Sequence, residues 1–226
     1  MRLRDAPVRS VWLAACAALV ACADVQAADE AAAPSVEGLS AGTYALDPYH
    51  ASLIFKVNHL GFSNYTARFT GFDATLELDP ADPGAAELTA TVDPASVETD
   101  FSDPEDLDFN SVIAGPEFLD AEAFPQMSYR STAVTLTGPN TATIDGELTL
   151  HGVTAPVALE ATFNGGWAGI PQDPNARIGF SVHGTLMRSA FGVDYGVPEP
   201  GSNMGVGDAV EVIIEAEFTG PPMEAE

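Results

Sequence analysis

Residues 44–61 read YALDPYHASLIFKVNHLG, and the second half of this stretch sets the pattern for the rest of the chain. Between His50 and His59, Leu53, Phe55 and Val57 fall on one side of an extended backbone. Ser52, Lys56 and Asn58 fall on the other, where Ile54 is the one apolar residue. Successive strand side chains point to opposite faces, so this alternation describes a strand with one buried face.

The same period continues toward the C-terminus. Phe72, Ala74, Leu76 and Leu78 share a face, as do Leu88, Ala90 and Val92, and Met127 and Tyr129. Ile144, Leu148 and Leu150 follow, then Val157, Leu159, Ala161 and Phe163, then Phe180, Val182 and Leu186. Val210, Val212, Ile214, Ala216 and Phe218 close the series. Turn chemistry separates the runs: Asp79, Pro80 and Gly84; Gly138, Pro139 and Asn140; Asn164, Gly165 and Gly166; Asp173, Pro174 and Asn175. HGVT at 151–154 suits a short hairpin corner. Residues 106–124 lack alternation; Phe109, Val112, Ile113, Phe118 and Leu119 suit one or two helical turns, which Pro125 ends. Seven to eight half-buried strands joined by short turns predict an all-β protein, either an antiparallel sandwich or a closed barrel.

The N-terminus reads as an export leader. Arg2, Arg4 and Arg9 precede the apolar run VWLAACAALV at 11–20, too short to cross a membrane as a helix. VQA at 25–27 offers a signal-peptidase site before Ala28. LVAC at 19–22 fits a lipobox, in which Cys22 would carry the lipid. The expectation is a periplasmic protein, soluble or anchored through Cys22, with a signal peptide at 1–27, a flexible Ala-rich lead-in at 28–43 and one domain at 44–220. Both cysteines, Cys16 and Cys22, lie in the leader, so the mature domain relies on its core and not on disulfides. No later apolar run approaches transmembrane length.

After residue 27 the chain keeps 31 acidic and 5 basic residues. A surface so negative repels nucleic acid and anionic headgroups, which excludes nucleic-acid binding. Solubility accounts for the charge more simply than adaptation to salt or attraction of cations. The four histidines, His50, His59, His151 and His183, show no metal-ligand spacing, and His50 and His59 fall on opposite faces of one strand. No nucleophile elbow, phosphate loop or dinucleotide fingerprint is present.

Several fragments occur together in the order of one family. YALD at 44–47 leads into HAS at 50–52 and HLG at 59–61, followed by Phe69, Gly71 and Phe72. DPASV at 93–97 precedes Thr99; Phe118, Phe124 and Pro125 mark a helical crossover. GELTLHGVT at 146–154, RSAFG at 188–192 and Gly207 with Asp208 complete the set. The chain resembles the YceI family of lipocalin-like periplasmic proteins. It departs from the family's compact turn at 192–206, where the loop is longer.

The resemblance implies an extended eight-stranded antiparallel lipocalin-like barrel with a short helical crossover. It also implies a bound polyisoprenoid lipid, a quinone or a polyprenyl phosphate, with no catalytic cofactor. A rim contact between two copies is implied as well. An isoprenoid tail offers almost no hydrogen-bonding group, so its site needs length and an apolar lining. Burial at about 25 cal/mol per Å² would then supply most of the affinity.

The inward parity nominates Leu53, Phe55, Val57, Phe72, Leu76, Tyr129, Leu148, Phe180, Val212 and Ile214 as lining; ordinary core packing is the alternative for each. His59 shares the face of Phe55 and Val57 and is a candidate ligand contact. Arg188 shares parity with Phe180, Val182 and Leu186, so it would reach a carbonyl or phosphate, or else pair with an acid. Arg68, in parity with Phe72, invites the same two readings. The functional expectation is a non-catalytic lipid carrier for transport, storage or stress protection. Its alternative is a barrel enzyme acting on a hydrophobic isoprenoid substrate.

Overall fold

The computed structural model describes residues 38–101 and 107–222. The leader, Cys22 and most of the lead-in lie outside the described residues. Ten strands are present: β1 (Gly42–His59), β2 (Ser63–Phe69), β3 (Phe72–Leu78), β4 (Glu87–Val92), β5 (Val97–Thr99), β6 (Met127–Leu136), β7 (Thr141–Leu150), β8 (Val153–Trp167), β9 (Asn175–Met187) and β10 (Val206–Pro222). One short helix, α1 (Phe109–Ala114), follows β5. Asp108 caps it, its carboxylate accepting from the Ser111 N–H. β1 begins inside the expected lead-in because residues 42–45 pair with 75–78 of β3.

The sheet closes. Its order runs β10-β9-β8-β7-β6-β4-β3-β1, and β1 pairs again with β10 along nearly its whole length. All these pairings are antiparallel, and the eight strands form a barrel with no free edge. The choice between sandwich and barrel therefore falls to the barrel. The second half of β1 leaves β3 and pairs instead with β2, which pairs with β5. This flap, with α1 beside β5, extends the barrel at the end where β1 finishes, hereafter the upper end. The β6–β7 turn lies at the lower end, where β1 starts.

Two strands escaped the alternation reading. β5 has three residues, and β2 exposes Ser63, Asn64, Thr66 and Arg68 between Tyr65, Ala67 and Phe69. Both are too short or too polar to stand out from the loops beside them.

Between β1 and β10 the register jumps from Leu46 opposite Phe218 to Ala51 opposite Ala216. Residues 47–50 thus bulge out across from Glu217. The extra residues switch the inward positions from even (Tyr44, Leu46) to odd (Leu53, Phe55, Val57). The bulge carries a polar cluster: Asp47 accepts from His50 at 3.0 Å and from Arg177 at 3.1 Å, and Glu217 lies 3.9 Å from His50. These three side chains could offer ligand atoms to a cation. The Arg177 guanidinium, which also donates to Asp173, already supplies the positive charge there.

The cluster makes one part of the stability pH-dependent. The bond to Asp47, and then the negative charge of Asp47 and Glu217, raise the His50 pKa above its ordinary 6.5. The same bond and the Tyr49 N–H lower that of Asp47 from 3.8. A raised histidine stabilises fully below 6.5 and loses its contribution as pH climbs through the raised value; a lowered aspartate loses its contribution as pH falls through the lowered one. The melting-temperature gap between wild type and His50→Gln is expected at about pH 5 and should vanish by about pH 9. A gap independent of pH would remove the pair from the account.

Part of the lower end is packed. Tyr44 is 0% exposed and packs with Ile178, Ala176 and Phe218, its hydroxyl donating to the Ser40 carbonyl at 2.7 Å. A second group, Met127, Leu150, Val157, Leu159 and Phe191, packs nearer the upper end.

Candidate functional site

Between and beside these two groups runs a lumen of about 820 Å³. Every barrel strand contributes, through the inward residues that alternation selects. The lining reaches from His59, Tyr65 and Arg188 at the upper end to residues 138–142 of the β6–β7 turn at the lower end. The crossover closes one side of the upper end with Phe101, Phe109, Ile113, Phe118 and Leu119.

The structure places all twelve sequence candidates on the wall of this lumen: Leu53, Phe55, Val57, His59, Phe72, Leu76, Tyr129, Leu148, Phe180, Arg188, Val212 and Ile214. Leu53 and Leu76 are buried against neighbours, whereas His59 is exposed at the upper rim. The aromatic residues form contacts along the wall: Phe55 with Phe69 at 5.3 Å, and Phe180 with Phe163 at 5.5 Å and Phe218 at 6.2 Å. Offset and edge-on rings of this kind hold their shape without filling the space in front of them.

Tyr129 is the largest polar group at mid-height. Its ring lies over Gly146 of β7, where any Cβ would meet it, and its hydroxyl donates to the carbonyls of Ile144 and Val157 at 3.0 and 3.2 Å. Burial pushes its pKa up to about 12, so the phenol stays neutral and committed to the wall.

Arg188 is 6% exposed and forms no ion pair, one of the two roles expected of it. Its Nε donates to Gly207 O, Nη1 to Val193 O and Tyr195 O, and Nη2 to Val206 O, all at 2.8–2.9 Å. The partners are backbone carbonyls at both ends of the 193–207 loop, not a carboxylate. Desolvation lowers its pKa from 12.5, which leaves a guanidinium still charged. The loop after residue 192 is thus tied to the barrel by the Arg188 side chain, and by the Leu60 N–H donating to the Gly205 carbonyl.

Arg68 points outward and pairs with Glu98, its ladder partner on β5. Parity with Phe72 misled because the chain turns at Thr70 and Gly71 and resets the alternation. The inward residues of β2 are Tyr65, Ala67 and Phe69. Tyr65 was missed, though its period-two spacing with Phe69 was the sign that would have found it.

The site is therefore a ligand-sized apolar chamber inside a closed antiparallel barrel, the geometry of a lipocalin-like binding protein. The YceI-like domain model matches residues 44–218, and the chain belongs to that family. It is 36% identical over 159 residues to a UPF0312 protein of Pseudomonas savastanoi pv. phaseolicola, covering 68% of this chain and 77% of the relative. BcnA of Burkholderia cenocepacia superposes with a TM-score of 0.64 at 23% identity, over 76% of this chain and 98% of BcnA. A polyisoprenoid binding domain from Saccharophagus degradans, implicated in plant cell wall breakdown, superposes at 0.58 and 14% identity, over 79% and 98%. At these identities the two superpositions establish the shared fold.

Proposed function

We propose that this chain is an exported, non-catalytic carrier that holds a polyisoprenoid lipid in its barrel lumen. The observation that carries the reading is the lumen itself, which runs between the two ends of the barrel with an almost wholly apolar lining. A long hydrocarbon gains affinity there by leaving water, at about 25 cal/mol per Å². The Saccharophagus degradans domain, named for polyisoprenoid binding, gives the same barrel a precedent. Three of the polar groups on the wall support binding over turnover. Tyr129, Arg188 and Asn140 are held by backbone carbonyls and are not arranged as a nucleophile with its base. Export rests on the leader reading of residues 1–27. Among the described residues no helix is long and apolar enough to cross a membrane.

Organic extraction and mass spectrometry of protein purified from the native periplasm test this directly. A stoichiometric isoprenoid is the expected result. An empty extract, with no response of Trp167 (the one tryptophan after residue 27) to added lipid, would overturn the carrier reading. Turnover of an added isoprenoid would replace it with the enzyme alternative.

A further inference from the structure

Among the described residues one buried side-chain oxygen has no hydrogen-bond partner: the Tyr65 hydroxyl. Its residue lines the upper end of the lumen, on β2 opposite Val57 of β1, and its ring meets Phe109 of α1 edge-on at 5.9 Å. A buried hydroxyl is normally paired, because desolvation without a partner is costly. Tyr129 and Asn140 bond backbone carbonyls, and each Arg188 nitrogen bonds at least one. The Tyr65 hydroxyl is thus the one buried side-chain oxygen among the described residues without a partner, at one end of a mostly apolar tube, with the His59 ring at the rim of the same end.

The charges narrow what that donor can meet. An anionic head brought out of water needs a cation. Lys56 lies 3.8 Å from Glu211, and Arg130 lies 3.9 Å from Glu87. Arg68 is held by Glu98 and Arg177 by Asp47 and Asp173. Arg188 keeps its charge, but each of its three nitrogens is already engaged by backbone carbonyls of the loop and of β10. The surrounding chain carries a net charge of −25. A carbonyl or ether oxygen, by contrast, requires only one N–H or O–H.

We propose that the Tyr65 hydroxyl donates a hydrogen bond to a neutral, oxygen-bearing head of the lipid, which lies at the upper end with its tail running down toward the β6–β7 turn. This rests on the carrier reading above. Within it, Tyr65 sets which isoprenoids are held and in which direction.

The test uses the mature protein stripped of lipid and three probes of equal isoprenoid length: hexaprenyl benzoquinone, hexaprenyl monophosphate and squalene, which has no head. Wild type is expected to bind the quinone more tightly than either of the others. Tyr65→Phe should weaken quinone binding by roughly fivefold to tenfold and leave squalene binding unchanged. The empty variant should melt no lower than wild type, because the unpaired hydroxyl is gone. Unchanged quinone affinity in Tyr65→Phe, or phosphate bound as tightly as quinone by wild type, would overturn the proposal while leaving the carrier reading in place. Failure of wild type to bind any of the three would overturn the carrier reading itself.

Discussion

Replacing Arg188 with methionine is expected to cost the fold about 3–5 kcal/mol, at the upper end of single-residue effects. The side chain is 6% exposed and donates to four carbonyls that bring both ends of the 193–207 loop together. Methionine keeps the apolar stem but leaves those carbonyls without their charged donor. A bond to a charged group contributes about 1.5–3 kcal/mol, and the four are not additive because they share one guanidinium. Lysine should recover little, since one ammonium cannot reproduce donors on three nitrogens in a planar fork. The loss would read as a lower urea midpoint. Hydrogen-exchange protection should fall first around residues 193–207, while the lower end around Tyr44 and Ile178 stays protected. A loss below about 1 kcal/mol would mean that water replaces the guanidinium at the loop carbonyls and that the loop holds itself.

The same residue shows how far the sequence could be read. Parity along β9 correctly turned Arg188 inward, because alternation survives from Phe180 to Leu186 with no bulge. What it met could not be read, because its partners are backbone atoms of a loop that doubles back across the upper end, and carbonyls leave no trace in a sequence. Alternation was legible wherever a strand is long and one of its faces meets the lumen, hence the twelve wall positions. It failed where the phase resets. The turn at Thr70 and Gly71 reverses the face of Arg68, and the bulge at residues 47–50 shifts β1 from even to odd. Neither shift is announced by composition. Tyr65 lay within reach of the period-two rule but sat in a run with too few apolar neighbours to register as a strand. That its hydroxyl is unpaired is a property of three-dimensional surroundings alone.

Lipid retention is expected to fall by tenfold or more when Ala90 is replaced by tryptophan. Ala90 of β4 stands opposite Ala74 of β3 and Tyr129 of β6, and all three face the lumen. The two small side chains leave a gap over a ring that its own hydroxyl holds flat to the wall. An indole placed there would enter the space a tail must thread. The barrel should tolerate it, because the new volume goes into the lumen and not into packed core, where overpacking costs about 1–3 kcal/mol. Thr89→Trp is the matched control: the neighbouring residue is exposed on the outer face, opposite Arg130. It adds the same ring without touching the lumen and should bind lipid as wild type does. Lipid extracted in equal amount from Ala90→Trp and wild type would show that the tail does not occupy the barrel, and the search would move to the outer surface. Loss in Ala90→Trp alone, with an unchanged circular dichroism spectrum, would place the ligand inside. The contrast separates a filled core from an open tube, because filling a void that no ligand uses changes no binding at all.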